Sequence, residues 1–194
     1  MGEYLLGIDI GTSACKVAVF EKSGTVVAAA NGDYPVYYPK EGWAEQNPEE
    51  WWSAVCQAVK KVIEKAGIQP EEISAVVLSH LHLDHAGGAH FFPQAKIYVQ
   101  QEELEHVMAD QKNGTLSVFH QKCDLDNWEQ AHLQWVPVPA GVREVPLCPG
   151  VTIVNLGPGH SYGMLGMLVE LESGNYLLAA DAIYSRAHYE PVPQ

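Results

Sequence analysis

The sequence predicts a mixed α/β protein assembled from two pieces, and three observations carry that expectation. Short apolar runs bounded by Gly and Pro clusters recur along the chain and read as strands. Residues 48–66 place Trp51, Trp52, Val55, Val59, Val62 and Ile63 at three- and four-residue spacing, the period of an amphipathic helix. Finally, Ala75-Val76-Val77-Leu78 opens almost directly onto His80-Leu81-His82-Leu83-Asp84-His85, four metal-ligand side chains in six positions at the mouth of a buried strand.

Taken in order, residues 4–10 read as a strand and Gly11-Thr12-Ser13 as its turn. Residues 16–20 and 26–30 return as second and third strands around Ser23-Gly24. A loop with Pro35, Pro39, Gly42 and Pro48 leads to the helix, with Asn47 as N-cap, Pro48 at the first helical position and Gly67 at the C-terminal end. Strand 74–79 follows, giving β-β-β-α-β to that point. Beyond the His cluster the sequence predicts a strand at 96–99 and a helix over 101–112. It then predicts an irregular or partly helical stretch over 113–135. A segment broken by Pro137, Pro139, Pro146 and Pro149 precedes a strand at 151–156. Gly157-Pro158-Gly159-His160 reads as a turn, and 164–171 and 176–180 as a hairpin around Ser173-Gly174-Asn175.

Composition bounds the function. A length of 194 residues with 47% hydrophobic and 18% charged residues describes an ordinary globular protein of one domain or two small ones. No apolar run has the length that spans a bilayer, and Met1-Gly2-Glu3-Tyr4 lacks a basic leader, so a cytoplasmic protein without a membrane partner is expected. The net charge of −13 is shared: six basic against eleven acidic side chains in residues 1–77, five against thirteen in 78–194. Both halves would repel a phosphate backbone, so nucleic acid is not an expected partner. Cys15, Cys56, Cys123 and Cys148 are scattered with no C-x-x-C pair and read as reduced thiols, buried as small hydrophobes.

Imidazole and carboxylate together suit a zinc-like ion, and this many ligands in so short a stretch suit two. If residues 75–82 are extended, His80 and His82 share one face while Leu81 and Leu83 anchor the other. Asp84 and His85 lie past the strand end, where the turn into Ala86-Gly87-Gly88 swings them toward a second ion. His160 and Asp181 each sit just past a predicted strand, the position at which side chains converge in layered α/β folds. The competing reading is a pH-sensing or incidental surface run of His.

The set His80-Leu81-His82-Leu83-Asp84-His85, Pro158-Gly159-His160 and Ala180-Asp181-Ala182 resembles the metallo-β-lactamase superfamily over about residues 71–190. Asp181-Ala182-Ile183-Tyr184 resembles its N-acyl homoserine lactonase branch in particular. The resemblance implies that His80, His82 and His160 hold one zinc, that Asp84 and His85 hold a second, and that Asp181 bridges them. It further implies a metal-bound hydroxide as nucleophile, Tyr184 on the substrate carbonyl, and Asp84 passing a proton to the leaving alkoxide. For Tyr184 alone, a core or rim role competes. The superfamily carries a further His ligand after the bridging Asp. His188 stands in a segment unlike that motif, so one zinc site is expected to be complete and the second to lack one protein ligand. His90, His106, His120 and His132 match no ligand motif and read as helix-face or loop residues.

Residues 1–73 look different. Leu6-Gly7-Ile8-Asp9-Ile10-Gly11-Thr12-Ser13, followed by Gly42-Trp43-Ala44-Glu45-Gln46-Asn47-Pro48-Glu49-Glu50-Trp51-Trp52, resembles the start of FGGY xylulokinase-type sugar kinases over about residues 1–75. For Asp9 and Gly11-Thr12 a hairpin turn is the simpler reading than a phosphate site. Trp43, Trp51 and Trp52 read as core or loop packing rather than a sugar site.

The expected fold class is therefore α/β, mixed α+β. It comprises a truncated metallo-β-lactamase-like αββα half, with an N-terminal β-β-β-α-β ribonuclease-H/actin-like segment replacing its front half. The domains expected are 1–73, kinase-like, and 74–194, metal-binding, packed together as one. Function reads first as a zinc-dependent hydrolase of small-molecule lactone or ester substrates. The alternatives are a chimeric metal-binding scaffold with little catalysis and a sugar-kinase fragment. An exposed sheet edge near the C-terminal end of the chain would favour a homodimer.

Overall fold

A computed structural model describes residues 4–11, 13–21, 23–185, 188 and 190. Its contacts divide the chain into two units, Met1–Glu72 and Ile73–Gln194.

The first unit is a three-stranded antiparallel meander, β1 (Tyr4–Ile10), β2 (Ala14–Glu21) and β3 (Val26–Asp33), carrying one helix, α1 (Pro48–Ala66). Alternation along β2 turns Cys15, Val17 and Val19 inward, where they meet Ala28 and Ala30 of β3 and Val55, Ala58 and Val62 of α1. Small residues on β3 let the helix approach closely. A Cβ at Gly32 would lie 2.7 Å from the Ala54 carbonyl oxygen and 3.0 Å from Cys15 Sγ. The helix ends as its sequence dictates: Asn47 accepts from the Glu49 N–H at 3.1 Å, Pro48 opens it, and Gly67 closes it in the left-handed region (φ 67°). Only one of the three tryptophans joins this core. Trp51 is half-buried, whereas Trp52 lies on the outer side of α1 and Trp43 is exposed, with Lys40 Nζ 4.7 Å from its ring centroid. Thr12 and the side chain of Asp9, where the kinase-like turn was read, lie outside the described residues.

The second unit contains two sheets and a helical layer. A parallel sheet runs β4 (Ala75–Val77), β5 (Lys96–Gln100), β6 (Gln134–Val138). An antiparallel sheet is formed by β7 (Glu144–Cys148), β8 (Val151–Gly157), β9 (Met164–Leu171) and β10 (Gly174–Leu178), in spatial order β10-β9-β8-β7. Val138, Ile153 and Leu165, with Val77 and Tyr98, pack between the sheets. On its other face the parallel sheet buries Ile97 and Val99 against the short α2 (Leu83–Ala86), α3 (Gln101–Asn113) and α4 (Lys122–Gln130), through Leu81, Val107, Leu125 and Trp128. Trp128 also donates its indole N–H to the Ala86 carbonyl at 3.2 Å. Each such large side chain contributes roughly 1.5–3 kcal/mol.

The strand that closes the β-β-β-α-β order and opens the expected segment 74–194 pairs in parallel with β5, in the second unit's sheet. Two expectations are corrected. The Pro-broken segment holds two strands, β6 and β7. Both are edge strands, so Pro137 and Pro146 forgo N–H groups that no inner neighbour requires. The strand over 74–79 ends at Val77, and Leu83, as the first residue of α2, is 42% exposed rather than an anchor.

Candidate metal centre

Strand ends build the site. After Val77 the Leu78 N–H still donates to the Tyr98 carbonyl at 2.9 Å, and then the chain leaves the sheet. Leu81 drops into the helical-side core, while His80 and His82 are buried on the way to α2. His82 is the extended N-cap of α2 (φ −61°, ψ 150°), and the one helical turn that follows carries Asp84 and His85. His160 follows β8, and Asp181 follows β10 in a short 3-10 turn, Ala180–Ala182.

Two ligand groups result. The donor atoms of His80, His82 and His160 lie within 4.8 Å of one another, as do those of His80, His85 and Asp181. His82 Nδ1 is 3.1 Å from His160 Nε2. Asp181 Oδ2 stands 3.3 Å from His160 Nε2 and 3.4 Å from His85 Nε2, so its carboxylate touches members of both groups. Asp84 remains outside them, 67% exposed at its side chain, with Oδ2 3.7 Å from His85 Nε2. The Tyr184 hydroxyl donates to Asp181 Oδ2 at 3.2 Å and lies 2.9 Å from His160 Nδ1. His188 is in neither group; its ring centroid is 5.9 Å from that of Tyr184. His90, on the Gly87 carbonyl, and His106, stacked on Tyr162, are engaged elsewhere.

The donor set fits a cation. Burial holds the His80 pKa down to about 3, and the neighbouring His85, His82 and His160 push the same way. Burial, followed by His160, also lowers that of His82. Both rings are thus neutral at pH 7 and present lone pairs. Ser79 Oγ lies 3.1 Å from His80 Nδ1, and an Nδ1–H donated there leaves Nε2 as acceptor. That Nε2 is buried and has no hydrogen-bond partner among the described residues. Ligand nitrogens on a tetrahedral zinc stand roughly 3.3 Å apart, close to the His82–His160 separation.

Three neighbours were not legible as site residues. Phe119 stacks on His82, with centroids 4.8 Å apart, and the Leu83 N–H donates to its carbonyl at 2.8 Å. Buried His120 sits 5.3 Å from the His82 ring and takes Ser117 Oγ at its Nδ1. Glu103 is fully buried beneath the two ligand loops. No local pattern marks any of them, since 101–112 reads as a helix rich in Glu and His, 113–135 as irregular or partly helical, and His120 matches no ligand motif.

Comparison with known proteins finds two resemblances. The N-terminal domain of the FGGY family of carbohydrate kinases matches residues 4–86, ending just beyond His85. The glycerol kinase of Caldanaerobacter subterraneus subsp. tengcongensis is 39% identical over 80 residues, 41% of this chain and 16% of the kinase. N-acyl homoserine lactonase AiiB of Agrobacterium fabrum is 36% identical over 130 residues, 66% of this chain and 47% of the lactonase. The chain thus spans about half the length of the curated lactonases it matches. A solved N-acyl homoserine lactone hydrolase, with N-hexanoyl-L-homoserine bound at its catalytic metal center, superposes with a TM-score of 0.54 at 26% identity. That match covers 76% of this chain and 50% of the hydrolase. The chain is therefore similar to the FGGY carbohydrate kinases through its front part and, over 66% of its length, to N-acyl homoserine lactonases of the metallo-β-lactamase fold.

Proposed function

We propose that the protein is a zinc-dependent hydrolase of lactone or ester substrates, of the N-acyl homoserine lactonase kind. The observation that carries this reading is the pair of ligand groups sharing His80, with Asp181 touching both and Tyr184 hydrogen-bonded between His160 and Asp181. His80, His82 and His160 would hold one zinc, and His85, Asp181 and Asp84 the second. When bound, zinc polarises a carbonyl and brings the pKa of water to roughly 7.

The chain's own side chains supply the rest. Withdrawal from water, then the hydrogen bond to Asp181, pushes the Tyr184 pKa above the ordinary tyrosine value, so its hydroxyl is a proton donor at neutral pH. Tyr184 would give that hydrogen bond to the lactone carbonyl oxygen as negative charge grows there. Asp84, exposed at the rim, would carry a proton to the alkoxide that leaves when the ring opens. Phe119 covers one face of His82 and shields it from water.

Metal analysis of the purified protein, with a lactone-opening assay on wild type and His82→Ala, tests the reading. Bound zinc and ring opening lost in the variant are expected. A metal-free protein with an intact fold, or equal rates in the two proteins, overturns it.

A second reading, a metal-binding scaffold with little catalysis, is favoured by one observation. The kinase-like match runs over residues 4–86 and so takes in His80, His82, Asp84 and His85, leaving His160 and Asp181 outside it. Zinc binding without lactone opening would decide for it.

A further inference from the structure

Among the described residues, Glu103 is the only fully buried carboxylate, and it lies outside both ligand groups. Such a group is costly to bury unless hydrogen bonds replace its water, so its partners show what holds it. Oε1 accepts from the Leu81 N–H at 2.8 Å and from the Ser161 hydroxyl at 2.7 Å. Oε2 lies 2.6 Å from the same hydroxyl and accepts from the Gly163 N–H at 3.2 Å. Leu81 stands between His80 and His82, and Ser161 directly follows His160. One carboxylate therefore ties together the two loops that carry the three-His group.

The clamp is anchored from below. Glu103 lies in the first turn of α3, where its own N–H donates to Oε1 of the N-cap Gln100 at 2.9 Å, and Val107 of the same helix is fully buried in the core. The Gly163 N–H reaches the carboxylate because residue 163 lacks a side chain. A Cβ there would fall 2.1 Å from Gln100 Oε1.

We propose that Glu103 is a positioning residue that fixes the separation of His82 and His160, so that the three-His group is formed before a cation arrives. This rests on the reading of those residues as zinc ligands. Its test is separable from that reading.

The imidazole nitrogen signals of the metal-free full chain, labelled at histidine, would be compared by NMR for wild type, Glu103→Gln and Val107→Ala. In Glu103→Gln an amide N–H replaces an acceptor and faces donors, so the His82 and His160 signals should move while His132 stays in place. Val107→Ala should lower the unfolding midpoint without moving them, which separates positioning from mere stability. Signals that shift no more in Glu103→Gln than in Val107→Ala would overturn the proposal. Should Glu103→Gln not fold, Ser161→Ala removes one donor and should still move His160; an unmoved His160 overturns it.

Zinc titration adds a second readout. Loss of a group that orients metal ligands weakens metal binding roughly ten- to hundredfold, and unchanged zinc affinity in Glu103→Gln would overturn the proposal. A wild type that takes up no zinc would instead overturn the hydrolase reading, and the nitrogen signals would still decide the role of Glu103.

Discussion

Ala180 has φ 45°, a left-handed conformation that a residue with a Cβ adopts at a cost of about 1 kcal/mol, and it directly precedes Asp181. The strain sets the turn by which β10 delivers that carboxylate to the histidines. Ala180→Gly should accordingly raise unfolding stability by up to about 1 kcal/mol in urea titrations. Asp124 offers a pH-dependent test. Burial raises its pKa, and His90 opposes this more weakly. Its protonation therefore stabilises the fold below the ordinary aspartate value, and that contribution is lost as pH rises through the raised folded value. Asp124→Asn, neutral throughout, should be more stable than wild type at pH 7, with the advantage fading as pH falls toward about 4. Urea midpoints across that range check it. At this scale the candidate ligands were legible, because His80, His82 and His85 stand within one short run and the structure brings all three into groups that could hold a metal ion. Glu103 and His120 meet the candidate ligands' segments only through contacts between residues distant in sequence, which no local pattern encodes.

Elements differ in how far their limits were written locally. Asn47, Pro48 and Gly67 mark both ends of α1, and the structure uses all three. β6 and β7 were hidden because proline argues against a strand in general but is tolerated at a sheet edge, and edges are known only once the sheet is assembled. The packing of α1 on β3 leads to a prediction. Gly32→Ala would drive a methyl group into the Ala54 carbonyl, where backbone rather than a flexible side chain must yield. The substitution should cost about 1–3 kcal/mol, read as a lowered thermal midpoint. Asn47→Ala, which removes one capping acceptor, should cost about 1 kcal/mol.

For the whole molecule, the two kinds of resemblance were legible because each rests on short contiguous motifs. The partner of β4 was not, since Ala75-Val76-Val77 announces a strand without saying which sheet receives it. Zinc should stabilise the folded chain by linkage. At a hundred times its dissociation constant, a cation bound only by the folded state adds about 2.7 kcal/mol. The thermal midpoint of wild type should rise with added zinc, and that of His80→Ala should rise less, because His80 belongs to both candidate groups. The acidic balance of −13 carries its own expectation: in a mobility-shift assay the chain should leave duplex DNA unretarded.

The sharing of His80 bears on how the centre would fill. His80 belongs to both candidate groups, and with Nδ1 next to Ser79 its Nε2 is buried without a hydrogen-bond partner among the described residues. If one cation took that nitrogen, a second would be left with His85 and the carboxylates. Occupancy should therefore climb in two unequal steps, giving a biphasic binding isotherm with a tight first phase and a weaker second one.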